Sequence, residues 1–197
     1  MPNVSDVRVG APEQSTTGAI KHAPLGTTLP TLESISTSGV VLDNAFTGNE
    51  YVSEDGLTLS PSMSTSDIKD WSGAVVRKLL ESFDGTLSWT MISTDENALK
   101  ISFGDDYVTK NAATISHGTQ LRAALGAHLP DEQSWVFLMK DGDARIVIVV
   151  PDGQITEVGD VTFKANEAVG WNVTLSCYPD SSGHSIYIMT DDGVISQ

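Results

Sequence analysis

The feature that most limits what this chain can fold into is a series of short alternating runs broken by turn dipeptides. In GTLSWTMIST, Leu87, Trp89 and Met91 fall on one side and Ser88 and Thr90 on the other, the period of two that a half-buried strand requires. WNVTLSCY repeats the pattern with Trp171, Val173, Leu175 and Cys177. WVFLMK, ARIVIVV, DVTFKA and HSIYIM continue the series, YVSEDGLTLS reads as two strand halves around Asp55-Gly56, and DWSGAVVRKLL adds a further apolar run. Asp-Gly dipeptides begin at positions 55, 84, 141, 152 and 192. The one between WVFLMK and ARIVIVV is the cleanest hairpin signal, because a type I′ turn needs φ > 0 and Asp-Gly adopts it at little cost. Strands at this spacing predict a mainly β fold, a sandwich or barrel.

One helix interrupts the pattern, over about residues 94–103. Ser93 and Glu96 have capping-box spacing, Ala98, Leu99 and Ile101 give an apolar side, and Gly104 stands where a helix would stop. A start at Thr94 or Asp95 fits almost as well. LRAALGAHLP allows a second helical turn before Pro130. Residues 1–48 are rich in Ser, Thr, Gly and Pro and poor in aromatics, with APLGTTLPTLES the clearest case. They are expected to form an arm or extended edge segment, with a short strand at Val40 to Leu42 and Ala45 and Phe46 pinning it to the body. Residues 49–197 then form a single β domain.

Composition narrows the function. With 26 acidic residues against 11 basic, the formal net charge of -15 argues against a nucleic-acid binder, which would need clustered Lys and Arg. Such a charge keeps surfaces apart in solution, and it also suits a surface that must repel a polyanion. No stretch approaches the roughly 20 apolar residues of a bilayer span. MPNVSDVRVGAPEQ has neither a basic cluster nor an apolar core segment, so synthesis and assembly are expected in the cytoplasm, and the Asn-x-Ser/Thr matches at Asn3 and Asn172 carry little weight. Cys177 is the single cysteine and falls on the apolar side of its run, so it is expected to be a buried, inert thiol.

Catalytic patterns are missing from the sequence. There is no GxSxG elbow, P-loop or dinucleotide-binding glycine pattern. His22, His117, His128 and His184 are scattered, with no i, i+4 pair of the kind helical zinc sites use. The acidic groups Asp105-Asp106, Asp141-Gly-Asp143 and Asp191-Asp192-Gly193 do not complete a calcium loop, and turn chemistry accounts for them. No catalytic residue, metal or cofactor is expected. Trp71, Trp89, Trp135 and Trp171 raise the alternative of a sugar-binding face, although Trp89 and Trp171 lie in alternating strands where core packing is the better account.

The succession YVSEDGLTLS, DIKDWSGAVVRKLLESFDGTLSWTMIST and DENALKISFG, followed by WVFLMKDGDARIVIVVPDGQITEVGDVTFKANEAVGWNVTLSCYPD, resembles the major tail (tail tube) proteins of long-tailed, non-contractile bacteriophages, particularly those of actinobacterial hosts. It spans residues of about 50 to 190 in the same order. The resemblance implies a β-sandwich or flattened barrel with a flanking helix, and hexameric rings stacked into a hollow tube that conducts DNA from capsid to host. It implies partners in other copies of the chain and in tail tip, tape measure and tail terminator proteins, with DNA passing unbound and no membrane contact. The ring-stacking loop would lie near Leu59 to Leu80, with Leu59, Ser60, Ser62, Met63, Ser64, Asp67, Lys69, Asp70 and Trp71 as its candidate residues and SPSMSTSD ordering on assembly. Trp89, Met91, Trp171, Val173, Leu175 and Cys177 are the candidate core. An excess of carboxylates is expected along the bore.

Two other roles remain compatible with the sequence. One is a carbohydrate-binding β-sandwich using Trp71 and Trp135, and the other is a different virion ring protein, a terminator or tip component.

Overall fold

A computed structural model describes residues 7–13, 18–48 and 50–195. The chain is mainly β. An eight-stranded antiparallel sheet curls over itself into a flattened sandwich, and Glu96–Phe103 (α1) is the one α-helix among the described residues. The strands are β1 (Ala11–Pro12), β2 (Ile20–Pro24), β3 (Ile35–Ser36), β4 (Gly39–Val40), β5 (Val52–Lys69), β6 (Val75–Met91), β7 (Val108–Asn111), β8 (Gln120–Ala123), β9 (Gln133–Asp141), β10 (Ala144–Val158), β11 (Trp171–Tyr178) and β12 (Tyr187–Asp191). The main path is β1-β9-β10-β11-β6-β5, with β2 also on β9 and β12 also on β10. Two small ribbons, β3-β4 and β7-β8, stand outside it.

β10 belongs to both layers. Its first part pairs with β9 and β12, and after an irregularity between Val150 and Gly153 its second part pairs with β11. Gly153 permits this turn from one layer into the other. A Cβ there would stand 3.0 Å from both the Leu175 and Val150 side chains.

The periodicity of each run reports how many of its faces are covered. Leu87, Trp89 and Met91 of β6 and Val173, Leu175 and Cys177 of β11 point into a core shared with Ile20, Trp135, Phe137, Ile148, Val150 and the helix residues Ala98, Leu99 and Ile101. Their alternate neighbours face water, hence the strict alternation. β9 and the start of β10 are instead covered on both sides, which explains their continuous apolar runs. Trp135 and Phe137 face the first core, while Val136, Leu138, Val147 and Val149 face a second, closed by Ala23, Ile35 and Phe46. The N-terminal stretch is therefore laid along the sheet: β2 pairs with β9, and Phe46 is buried while Ala45 is exposed.

Several local expectations are corrected. Asp141-Gly142 does close the β9-β10 hairpin, with Gly142 at φ 61, and past β12 the Asp191 and Asp192 carboxylates accept from the Gly193 and Val194 N–H groups at 2.7 and 2.9 Å. Asp84-Gly85 and Asp152-Gly153, however, lie inside strands, and Asp55-Gly56 is a bulge within one continuous β5, where the register shifts between Val52 and Leu57. DWSGAVVRKLL and GTLSWTMIST are consequently parts of one long β6. DVTFKA lies in the open loop between β10 and β11, with Phe163 exposed, because among the described residues no strand is placed to pair with it. The turn expected in LRAALGAHLP is strand β8 followed by loop, since β7 supplies a ladder that a four-residue helical turn cannot match. The helix is capped by Asp95, whose carboxylate accepts from the Ala98 N–H at 2.9 Å. Ser93 instead accepts from the Tyr51 N–H.

His22 sets a pH dependence. Its ring lies against Trp135, centroids 5.1 Å apart, and burial pushes its pKa down, opposed by a hydrogen bond with Gln133 and the charge of Asp105. Because the folded pKa lies below the unfolded value near 6.5, the unfolded chain takes up this proton first as pH falls. Stability contributed by neutral His22 is therefore full above the unfolded pKa and lost as pH falls toward the folded one. Urea midpoints at about pH 7.5 and about pH 5.5 should differ in the wild type, and His22→Phe should shrink the difference. An unchanged difference in the variant would assign the effect to other groups.

Candidate functional site

Most surface elements of this fold have an ordinary explanation, but the β5-β6 hairpin does not. Its inner part is anchored: Leu57 and Leu59 pack against the first core, opposite Trp89 and Leu87. Beyond Pro61 and Gly85 the ribbon leaves the body, and residues 75–84 of β6 are exposed on both faces. A two-stranded ribbon with both faces in water is marginally stable by itself. Its length is justified only if something covers it.

The faces differ. On the side that continues the core, Met63 pairs with Phe83, and one step past a register shift Thr65 pairs with Leu80. Met63 is 68% exposed and Leu80 64%. An apolar stripe thus starts in the core at Leu59 and Leu87 and runs out past its edge. Val75, Val76 and Leu79 add exposed apolar surface. The other side carries Ser62 opposite Asp84 and Ser64 opposite Ser82.

The hairpin tip is built by Asp70. Its Oδ1 accepts from the Ser72 hydroxyl at 2.6 Å, the Ser72 N–H at 2.9 Å and the Ala74 N–H at 2.9 Å, and these bonds, the Ser72 hydroxyl foremost, hold the carboxyl below its ordinary pKa. Gly73, at φ 88, completes the turn. This ordered tip presents Trp71 fully to solvent. Lys78 and Asp67 pair across the strands at 2.8 Å, an exposed contact of small energetic value.

All nine candidate loop residues, Leu59 to Trp71, thus lie on one hairpin. The segment SPSMSTSD is strand within it. The list drawn from sequence missed the second strand, where Phe83, Leu80 and Leu79 complete the apolar surface. Their signal was the Leu79-Leu80 pair in DWSGAVVRKLL. Among the described residues no strand pairs with the outer edge of β5, which ends the sheet path. Beside its first residues a cleft of about 590 Å³ opens against β9, floored by Ile20, Phe137 and Met139 and bordered by Glu54 and Asp55.

Among the described residues no cluster of three or more His, Cys, Asp or Glu is arranged to hold a metal. Cys177 is buried, and desolvation pushes its thiol up to about 12. Trp89, Met91, Trp171, Val173 and Leu175 lie with it in the first core. His128 stacks on Tyr107 at 3.4 Å and its Nε2 lies 3.0 Å from the Phe103 carbonyl, a packing role. The sugar-binding alternative loses its surface, because Trp135 is 2% exposed, 5.6 Å from Trp89 between ring centroids, leaving Trp71 alone at the hairpin tip.

Among solved structures, the chain is similar to a component of the anti-feeding prophage tube-terminating cap, at 13% identity over 94% of this chain and 96% of that one, with a TM-score of 0.45. It is similar to a chain in the tail of an empty gene transfer agent particle, refined with C6 symmetry, at 13% identity over 87% and 94%, TM-score 0.41. A chain of the native gene transfer agent virion is similar at 14% identity over 75% and 92%, TM-score 0.39. No curated protein matches the sequence. The family model described as phage tail tube protein matches residues 3–196, nearly the whole chain. The chain belongs to the phage tail tube protein family and is a structural protein of the virion tail.

Proposed function

We propose that this chain is the major, repeating subunit of the tube. Copies close into hexameric rings, and the rings stack head to tail through the β5-β6 hairpin. Residues 1–48, which close the second core against the sheet of residues 49–197, also serve as a second contact element between copies. Assembly proceeds in the host cytoplasm, starts on tail tip proteins, is measured by a tape measure protein and ends at a terminator. DNA passes through the bore unbound, and the role is structural rather than enzymatic.

The observation that supports this most is the apolar stripe of Met63, Leu80 and Phe83 on a ribbon that none of the described residues covers. Heterologous contacts of that kind close into rings or propagate as filaments, where an isologous patch would stop at a dimer. Purified protein, concentrated or seeded with a tail-tip initiator, should form hollow tubes in negative stain. A chain that stays monomeric in every such condition, and is absent from the tubes of virions that carry it, is not the subunit. Copy number per virion separates the tube subunit, present in large excess, from a terminator or tip ring.

A further inference from the structure

The apolar stripe of the β5-β6 hairpin carries one side chain whose polarity a single chemical step reverses. Among the described methionines, Met63 is 68% exposed, whereas Met91 is fully buried in the first core and Met139 and Met189 are partly buried against the first and second cores. In the free chain the Met63 thioether is therefore open to a soluble reagent, while the other three are shielded. Cys177 is buried in the core, and desolvation keeps its thiol protonated, so it does not compete for an oxidant.

The place of Met63 on the ribbon gives its exposure a consequence. On this face of β5, Leu59 still packs against the first core, and Met63 is the next side chain past Pro61, where the ribbon leaves the body. It stands opposite Phe83, with Leu80 following beyond the register shift. Ser62 and Ser64, its neighbours in the chain, fall on the other face. Met63 thus occupies the middle of the stripe. A flexible, polarizable thioether suits a surface that must fit another copy. One added oxygen turns it into a polar, chiral sulfoxide. Any contact that covers the stripe would then bury a sulfoxide dipole beside Phe83 where an apolar group had been.

Resting on the tube reading above, we infer that Met63 is an oxidation site that gates assembly: a peroxide converts it to the sulfoxide in the free chain and stops stacking, while in the tube the covered stripe keeps it reduced. In that step the thioether sulfur attacks the peroxide, the O–O bond breaks and an S–O bond forms. Sulfur loses two electrons, and the second peroxide oxygen leaves as water, taking up the proton that the transferred oxygen gives up. A methionine sulfoxide reductase reverses the change with two electrons from thiols, releasing the oxygen as water. The pool of free subunits is sensitive to oxidant and the finished tube is not. Assembly accordingly belongs in a reducing compartment, and its product withstands an oxidising one.

Hydrogen peroxide, quenched with catalase, tests this on the purified chain. Peptide mass mapping should find oxygen on Met63 before Met91, Met139 or Met189. The oxidised chain should keep its melting temperature, because the ribbon lies outside both cores. Its critical concentration for tubes should rise roughly tenfold or more, and reductase treatment should restore it. Met63→Leu keeps the stripe apolar without the thioether, so its assembly should survive the same peroxide. In preformed tubes Met63 should oxidise several-fold more slowly than in the free chain. Oxidation of any of the other three methionines before Met63 overturns the inference. So does normal assembly of a chain carrying Met63 sulfoxide, equal loss of assembly in peroxide-treated Met63→Leu, or an equal rate of Met63 oxidation in tubes and in the free chain. Should Met63→Leu itself not assemble, recovery of the oxidised wild-type chain by the reductase decides, and no recovery counts against the gate. Absence of tubes from the untreated wild-type chain overturns the tube reading, while the order of oxidation is read independently of it.

Discussion

Replacing residues 63–83 by a two-residue Asn-Gly turn is expected to abolish tube formation while leaving a folded monomer. The cut falls where Ser62 opposes Asp84, a register that an Asn-Gly type I′ turn closes without strain. Everything removed lies outside both cores. The melting temperature should consequently shift by only a few degrees, the range expected for about 1 kcal/mol in a domain of this size. Assembly should respond very differently. Met63, Leu80 and Phe83 are each exposed in the free chain, and full burial of one such side chain is worth roughly 1.5–3 kcal/mol. Leu80→Ser alone, at a side chain 64% exposed in the free chain, should then raise the critical concentration for tubes about 5- to 25-fold. Sedimentation across a concentration series, with thermal melts of the same samples, reads both quantities. Tubes of normal yield from the shortened chain would remove the hairpin from the stacking contact. Unfolding of the shortened monomer would show that the ribbon belongs to the domain and not to the assembly.

The same hairpin marks where the sequence became hard to read. β6 and β11 were legible because each has one dry face and one wet face, so Leu87, Trp89, Met91 and Val173, Leu175, Cys177 impose a period of two. Past Gly85 no core of the same chain imprints a pattern, and Val75, Val76, Leu79 and Leu80 read as a generic apolar run. Asp84-Gly85 then looked like a turn, whereas the real turn is the Asp70 arrangement, whose hydrogen bonds go to Ser72 and Ala74. The N-terminal stretch was obscure for a related reason. It covers the far side of β9 and β10 with a few widely spaced residues, Ala23, Ile35 and Phe46 among them, too sparse to register as periodicity. DVTFKA had alternation without a partner strand, and composition could not reveal that absence. The charge was legible as a total but not as a distribution.

Arg145→Ala should produce a large loss of stability, at a residue that no motif or periodicity singles out. The side chain is 5% exposed at the start of β10. Its Nη1 donates to the carbonyls of Gly142 at 3.1 Å and Ala144 at 3.2 Å, its Nη2 donates to the Thr37 carbonyl at 2.9 Å, and its Nε lies 3.3 Å from the Glu13 carboxylate. One guanidinium thereby joins the β9-β10 turn, the β3-β4 ribbon and the residue following β1. Truncation leaves three carbonyls without this donor and Glu13, itself mostly buried, without its counter-charge. Removing one partner of a buried pair typically costs about 3–5 kcal/mol, far more than the pair's net worth against apolar replacements. At about 2–4 °C per kcal/mol, that is a fall in melting temperature on the order of 10 °C. Lys at this position restores the charge but not the fork that reaches carbonyls on two segments, so Arg145→Lys should recover only part of the loss. The decisive measurement is the double variant Glu13→Ala with Arg145→Ala. Taking away the stranded carboxylate should make it less destabilised than the sum of the two single changes, by about 1 kcal/mol or more. Strict additivity would mean that the carbonyl contacts carry the effect and the ion pair none of it. A loss below about 1 kcal/mol for Arg145→Ala would mean that the N-terminal cover is held by Ile35 and Phe46 alone.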